Sequence, residues 1–229
     1  MEAYLSHELP AIMREQTIIH GGNQSWLPKK YVQKSGCGLI AGTDLLLYFS
    51  RYKKGCRTEL FGELPSDGTP VSSEVYSRLT DRMRKRFFPV LPGLGMSGWA
   101  LMVGVNLYFL RFHLSLRACW RPAGPKLWKH MEEMLSKNIP VPMAIGQNIP
   151  FPWTNHRLAF YMKKTDGTYA EVCRVKAHFV TVTGMDDSWL RITSWGRGYY
   201  INRKEYEEYI KKYSSMLVCG ILTVRKRRK

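Results

Sequence analysis

From Leu39 to about Tyr52 apolar residues run almost unbroken, with Ala41, Leu45, Tyr48 and Tyr52 along one stripe and Ile40, Leu46, Leu47 and Phe49 on the other faces. A helix apolar nearly all round is a central, buried one. Residues 55–71 hold Gly, Pro and Asp clusters and read as a loop. A second helix is predicted from an N-cap at Ser72 or Ser73 to about Phe88. Its core face is Val75, Leu79, Met83 and Phe87, its outer side carries Arg82, Lys85 and Arg86, and Pro89 and Pro92 end it. Ser97 to about Arg111 has helical length and almost no charge, so it is expected to be a buried helix. Leu114 to Trp120 reads as a short strand. Gly124 to Lys137 is amphipathic, with Leu127, Met131, Met134 and Leu135 inward.

Beyond Lys137 the period changes. Ile139 to Gly146 holds a β-rich run after its two prolines, Pro140 and Pro142, and Leu158–Met162, Tyr169–Val175 and His178–Gly184 follow as strands between turn residues. Trp189–Thr193 and Tyr199–Ile201 continue the sheet, Arg203–Lys212 is a short helix, and Met216–Val224 is a last strand. Helices ahead of antiparallel strands make an α+β arrangement. With no repeat and no low-complexity linker, a single domain is expected over 1–229. It comprises an N-terminal extension (1–20), a mainly helical half (21–137), a sheet half (138–224) and a basic tail (225–229).

Composition narrows the class. At 229 residues, with 45% apolar and 23% charged side chains, the chain is globular rather than disordered. The five cysteines (37, 56, 119, 173 and 219) form no close pair and the six histidines are scattered, so neither a zinc site nor any other cofactor is expected. An odd, unpaired set of cysteines points to a reducing compartment. The first fourteen residues lack the plan of a secretory signal, so a cytoplasmic location is expected. Gly93 to Leu110 is uncharged over eighteen residues, but its glycines and Asn106 favour a buried helix over a membrane span. Net charge is +17, and five of those charges close the chain. That surface suits an anionic partner. No motif for specific nucleic-acid recognition is present. Oligomeric state is left open.

Candidate chemistry begins at Gly36-Cys37-Gly38, directly ahead of the apolar helix. A helix N-terminus offers unpaired N–H groups and partial positive charge, and both lower a thiol's pKa. A reactive thiol also needs a base. His178 opens the hairpin 178–194, whose turn is centred between Asp186 and Asp187. Counting back from the turn, His178 lies opposite Trp195, with Thr193 its diagonal neighbour on the same face. A histidine with a hydroxyl beside it is a base-plus-orienter pair. His7, His20, His113, His130 and His156 lie in settings that read as surface or structural.

These residues carry a resemblance. Cys37-Gly38-Leu39-Ile40-Ala41 opening the central helix, then His178-Phe179-Val180 ahead of Ser194-Trp195-Gly196 and Tyr199-Tyr200-Ile201, resembles the papain-like cysteine peptidase superfamily. The nearest branch is the double-glycine leader (bacteriocin-processing) peptidase-like group, which Asn138-Ile139-Pro140-Val141-Pro142 also resembles. The likeness covers roughly 21–202. It implies a papain-like fold and a cysteine peptidase or related thiol hydrolase acting on a peptide or protein substrate. Cys37 would be nucleophile, His178 general base and acid, and Trp195 a shield over the histidine's hydrogen bond. The family's Asn or Asp falls on Thr193. Its oxyanion glutamine lies about six residues before the cysteine, whereas Gln33 precedes Cys37 by four and Gln24 by thirteen. The alternative reading is a catalytically weak or inactive relative that binds an anionic or protein partner.

Overall fold

The first twenty residues, without pattern in the sequence, form three short strands: β1 (Ala3–Tyr4), β2 (Ala11–Arg14) and β3 (Thr17–His20). The computed structural model describes residues 2–65 and 68–227. Strands of two to four residues give too few positions for a period-two signal. Helix α1 (Lys30–Ser35) leads into α2 (Cys37–Tyr52), which is buried from Gly38 to Ser50, as an all-round apolar helix must be. β4 (Val71–Ser72) joins β2 in parallel. Ser66 and Asp67 of the loop before it lie outside the described residues.

α3 (Ser73–Arg86) starts where its cap predicts: the Ser72 hydroxyl accepts the Val75 N–H at 3.3 Å. Its buried face includes Tyr76, Leu79, Thr80 and Met83, while Val75 is only partly buried. Tyr76 turns inward because its hydroxyl finds Asp44 at 2.7 Å, and a buried phenol needs such a partner. α4 (Gly98–Arg111) corrects the expectation of a fully buried helix. Leu101, Gly104, Val105, Tyr108 and Phe109 face inward, whereas Trp99, Val103, Leu107 and Leu110 stand in solvent.

β5 (Leu116–Pro122), α5 (Leu127–Ser136) and β6 (Val141–Ile145) follow, then β7 (Leu158–Lys163), β8 (Tyr169–Val175) and β9 (His178–Met185). The chain continues through β10 (Trp189–Ser194), β11 (Arg197–Asn202), α6 (Arg203–Tyr213) and β12 (Gly220–Lys226). Among the described residues these strands form one sheet in the order β5-β12-β6-β9-β10-β11-β7-β8, with β1 added against β9. α2 and α4 cover one face through Phe179, Ala144, Leu222 and Val224, with α3 packed against α2, and α5 and α6 cover the other through Val180, Val182, Ile192 and Ile221. The molecule is α+β, although the helical half contributes β5 and the N-terminal extension β1 to the sheet. β12 begins four residues later than expected. Arg225 and Lys226, expected in a free tail, pair instead with Arg117 and Leu116. Arg228 and Lys229 lie outside the described residues.

The β9–β10 register differs from the count made from the turn, by two residues beside the turn and by one beyond the bulge. Leu190 and Arg191 face Met185 and Gly184, the register then shifts, and Ile192 and Thr193 face Val182 and Thr181. A bulge of one residue moves every later side chain to the opposite face. His178 therefore shares its face with Val180, Val182, Ile192 and Ser194. Thr193 points to the α2 side.

Candidate functional site

Cys37 is the first residue of α2, and Gly36 ahead of it supplies no side-chain cap. The helix start is therefore open to the sulfur, which faces the backbone N–H groups of Phe179, Gly38 and Cys37 itself. Those donors favour the thiolate. Burial outweighs them and pushes the thiol's pKa up, which corrects the expectation of a depressed value. The reason is packing. A Cβ on Gly38 would lie 3.2 Å from both Met96 and the Phe179 ring, so the start of this core helix is itself covered.

A narrow cleft is lined by Cys37, His178, Gln24, Asp44, Thr193 and Trp195, among others. His178 is 8% exposed. Its Nε2 lies 2.7 Å from the Ser194 hydroxyl, and its ring stacks on Trp195 at 4.6 Å between centroids, with Phe160 at 6.4 Å. This apolar box disfavours the charged ring, and burial lowers its pKa to about 4. Nδ1 is the nitrogen left over. Among the described residues no hydrogen bond joins the imidazole to the Cys37 sulfur.

Ser194, one residue along, takes the place given to Thr193. The bulge explains it, because Thr193 packs on the other face, with its methyl beside Gly21. We predict that Ser194→Ala, which leaves a buried imidazole nitrogen unpaired, costs about 1–2 kcal/mol of stability. Thr193→Val should cost under about 0.5 kcal/mol. Urea unfolding of the two variants distinguishes them, and equal losses would contradict the assignment.

Of the two glutamines, Gln24 lines the cleft and Gln33 does not. Gln33 donates its amide to the Leu27 carbonyl at 2.7 Å, away from the sulfur. Gln24 donates one Nε2 hydrogen to the Gln33 carbonyl at 2.7 Å, which leaves the second for another acceptor. Trp195 lies where the sequence suggests, against His178, and it also walls a larger cavity of about 540 Å³ lined by Glu8, Arg14, His20 and Arg191.

No protein-family model and no curated protein matches the chain. Among solved structures, one that is similar aligns over the full length of both chains, at 14% identity and a TM-score of 0.46, and others match as well. It is a Bacillus anthracis protein provisionally assigned as a C39-like peptidase. A likeness that distant carries no argument about activity or site.

Two cleft features escaped the sequence. Asp44 is buried, and both its oxygens receive the Gly22 N–H (3.2 and 3.0 Å) while the Tyr76 hydroxyl donates at 2.7 Å. Desolvation raises its pKa to about 6. Its signal was present: it is the one acidic residue in a helix otherwise nearly free of charge. Ser194 was visible within Ser-Trp-Gly, but only the bulge selects it. Among the described residues no group of three or more His, Cys, Asp or Glu is arranged to hold a metal.

Proposed function

We propose that this chain is a thiol-dependent hydrolase of papain-like architecture that opens a peptide or amide bond through Cys37, with His178 moving the proton. The observation that supports it best is the cleft shared by a thiol at a helix start and an imidazole whose Nδ1 is unengaged. His178 opens β9 on the sheet face away from α2, so substrate binding has to swing its ring round the strand end toward the Cys37 sulfur before the two can form a hydrogen bond. Cys37 then passes its proton to His178 and attacks the carbonyl carbon. The developing oxyanion is received by backbone N–H at the start of α2 and the second Nε2 hydrogen of Gln24. The tetrahedral species collapses to a thioester as His178 protonates the leaving amine. Water, deprotonated by His178, releases the acid and restores the thiol. Ser194 orients the ring and Trp195 keeps that bond dry.

A second reading, a binding module without turnover, is favoured by the raised thiol pKa and by the imidazole's bond to Ser194 rather than to sulfur. Incubation with a mixed peptide library separates them. Hydrolysis is expected for the parent and a loss of about a thousandfold or more for both Cys37→Ala and His178→Ala. Residual cleavage equal to the parent's in either variant contradicts the catalytic roles. No cleavage, with a thiol alkylated only above about pH 8.5, establishes the binding module.

A further inference from the structure

One end of the molecule combines exposed apolar tips with a cationic field. It is the end where β9 begins at His178 opposite Ile145, β12 begins at Gly220 opposite Ala144, and β5 finishes at Pro122. α2 starts there too, because Gly38 sits against Met96 and Phe179. The connection before α4 leaves Leu91 and Leu94 in solvent, Leu94 at 83% exposure. The connection from β6 to β7 does the same with Phe151 and Trp153, the latter at 76%. The connection from α6 to β12 exposes Met216 and Leu217.

These connections are neighbours. The Ile149 N–H donates to the Tyr213 carbonyl at 3.1 Å, and the Ser214 hydroxyl to the Gln147 carbonyl at 2.7 Å. The Ala123 N–H donates to the Met216 carbonyl, and Gly98 and Gly220 both lie against Trp120. The segments that build this end are 28–37, 89–99, 120–127, 145–158, 174–178, 194–198 and 211–220. They contain no Asp or Glu, against Lys29, Lys30, Lys34, Arg121, Lys126 and Lys176 among their cations.

We propose that this end docks on an anionic lipid bilayer, with the three apolar tips entering the headgroup boundary and the lysines and arginines held at the anionic surface. Charge selects an anionic partner, and each basic residue near such a surface adds to binding. The tips select lipid. Single-stranded nucleic acid stacks bases on aromatic rings and has no use for Leu94, Met216 or Leu217. Tryptophan at the level of the headgroups, with aliphatic side chains beyond, is the pattern of an interfacial contact. Docking in this pose would bring the Cys37–His178 cleft to the lipid surface. The surface itself does not depend on turnover at Cys37.

The test uses the full chain in sedimentation with phosphatidylcholine vesicles containing about one-third phosphatidylglycerol, against phosphatidylcholine alone. Binding to the anionic vesicles is expected to be at least about tenfold tighter and to weaken in high salt. The double variant Leu94→Ser, Trp153→Ser, at two highly exposed positions, should bind about tenfold more weakly or worse. A thermal melt matching the parent's checks that it folds. Absence of binding to anionic vesicles overturns the proposal, as does a double variant that binds like the parent. Binding of a single-stranded RNA homopolymer without vesicle binding overturns it in favour of a nucleic-acid surface.

Discussion

Asp44→Asn should make the protein gain about 3 kcal/mol of stability as pH rises from about 4 to 6.5, over a range where the parent stays nearly level. Two buried groups with opposing slopes produce that level stretch. His178 has a folded pKa of about 4 against 6.5 for the free side chain. Between those values the unfolded chain takes up a proton that the folded chain refuses, so stability is lost as pH falls from 6.5 to 4. At about 1.4 kcal/mol per unit this amounts to about 3 kcal/mol. Asp44 behaves in reverse. Its folded pKa is raised from 3.8 to about 6, so between those values the folded chain holds a proton that the unfolded chain releases. Its contribution is fully present below 3.8 and is lost as pH rises to 6, by a similar amount. Removing one group uncovers the other. His178→Gln should show stability falling by about 3 kcal/mol as pH rises from 3.8 to 6. Urea midpoints of the three proteins against pH check both, and three parallel curves would refute the assignment. Exposed carboxylates titrate alike in all three and drop out of the differences.

Gly104→Ala is expected to destabilise by about 2–3 kcal/mol, although glycine to alanine inside a helix ordinarily stabilises by about 1 kcal/mol. A Cβ there would lie 2.3 Å from the Phe87 carbonyl oxygen and 2.5 Å from the Phe88 ring. A ring can turn, but a carbonyl at the end of α3 cannot yield without moving the helix. Phe87 also packs edge-on to Tyr108 at 5.4 Å, so a shift of α4 disturbs an aromatic cluster beneath it. A chain of this length should lose about 5–10 °C in melting temperature. An unchanged or higher melting temperature would show that α4 rides free of Phe87.

The helices were legible because their signals are long. Sixteen residues of α2, apolar on all sides, admit no other reading, and Ser72 names its own role as a cap. α4 was misjudged for an instructive reason. Absence of charge says that a helix tolerates burial, not that every face receives it, and Trp99, Val103, Leu107 and Leu110 form an exposed stripe. Cys37 and His178 were singled out from order and residue type, and both line one cleft. The hydroxyl that meets the imidazole lies one position beyond the expected Thr193. Register depends on a bulge between Arg191 and Ile192, and a bulge leaves no mark in a hydrophobic pattern that reads well in either phase. Asp44 was missed because its partners, the Gly22 N–H and the Tyr76 hydroxyl, come from segments that only tertiary folding brings together.

The place of β12 has a consequence for how the chain is made. It lies between β5 and β6, and β5 has no other strand neighbour among the described residues. Synthesis at about 5–20 residues per second therefore leaves β5 waiting roughly 5–20 seconds after it emerges, until 220–226 arrive. An unpaired strand held that long is an invitation to pair wrongly. β5 is suited to the delay: Arg117 and Arg121 project from it on the side opposite Ala118 and Trp120, and a strand that bears alternate cations repels its own kind.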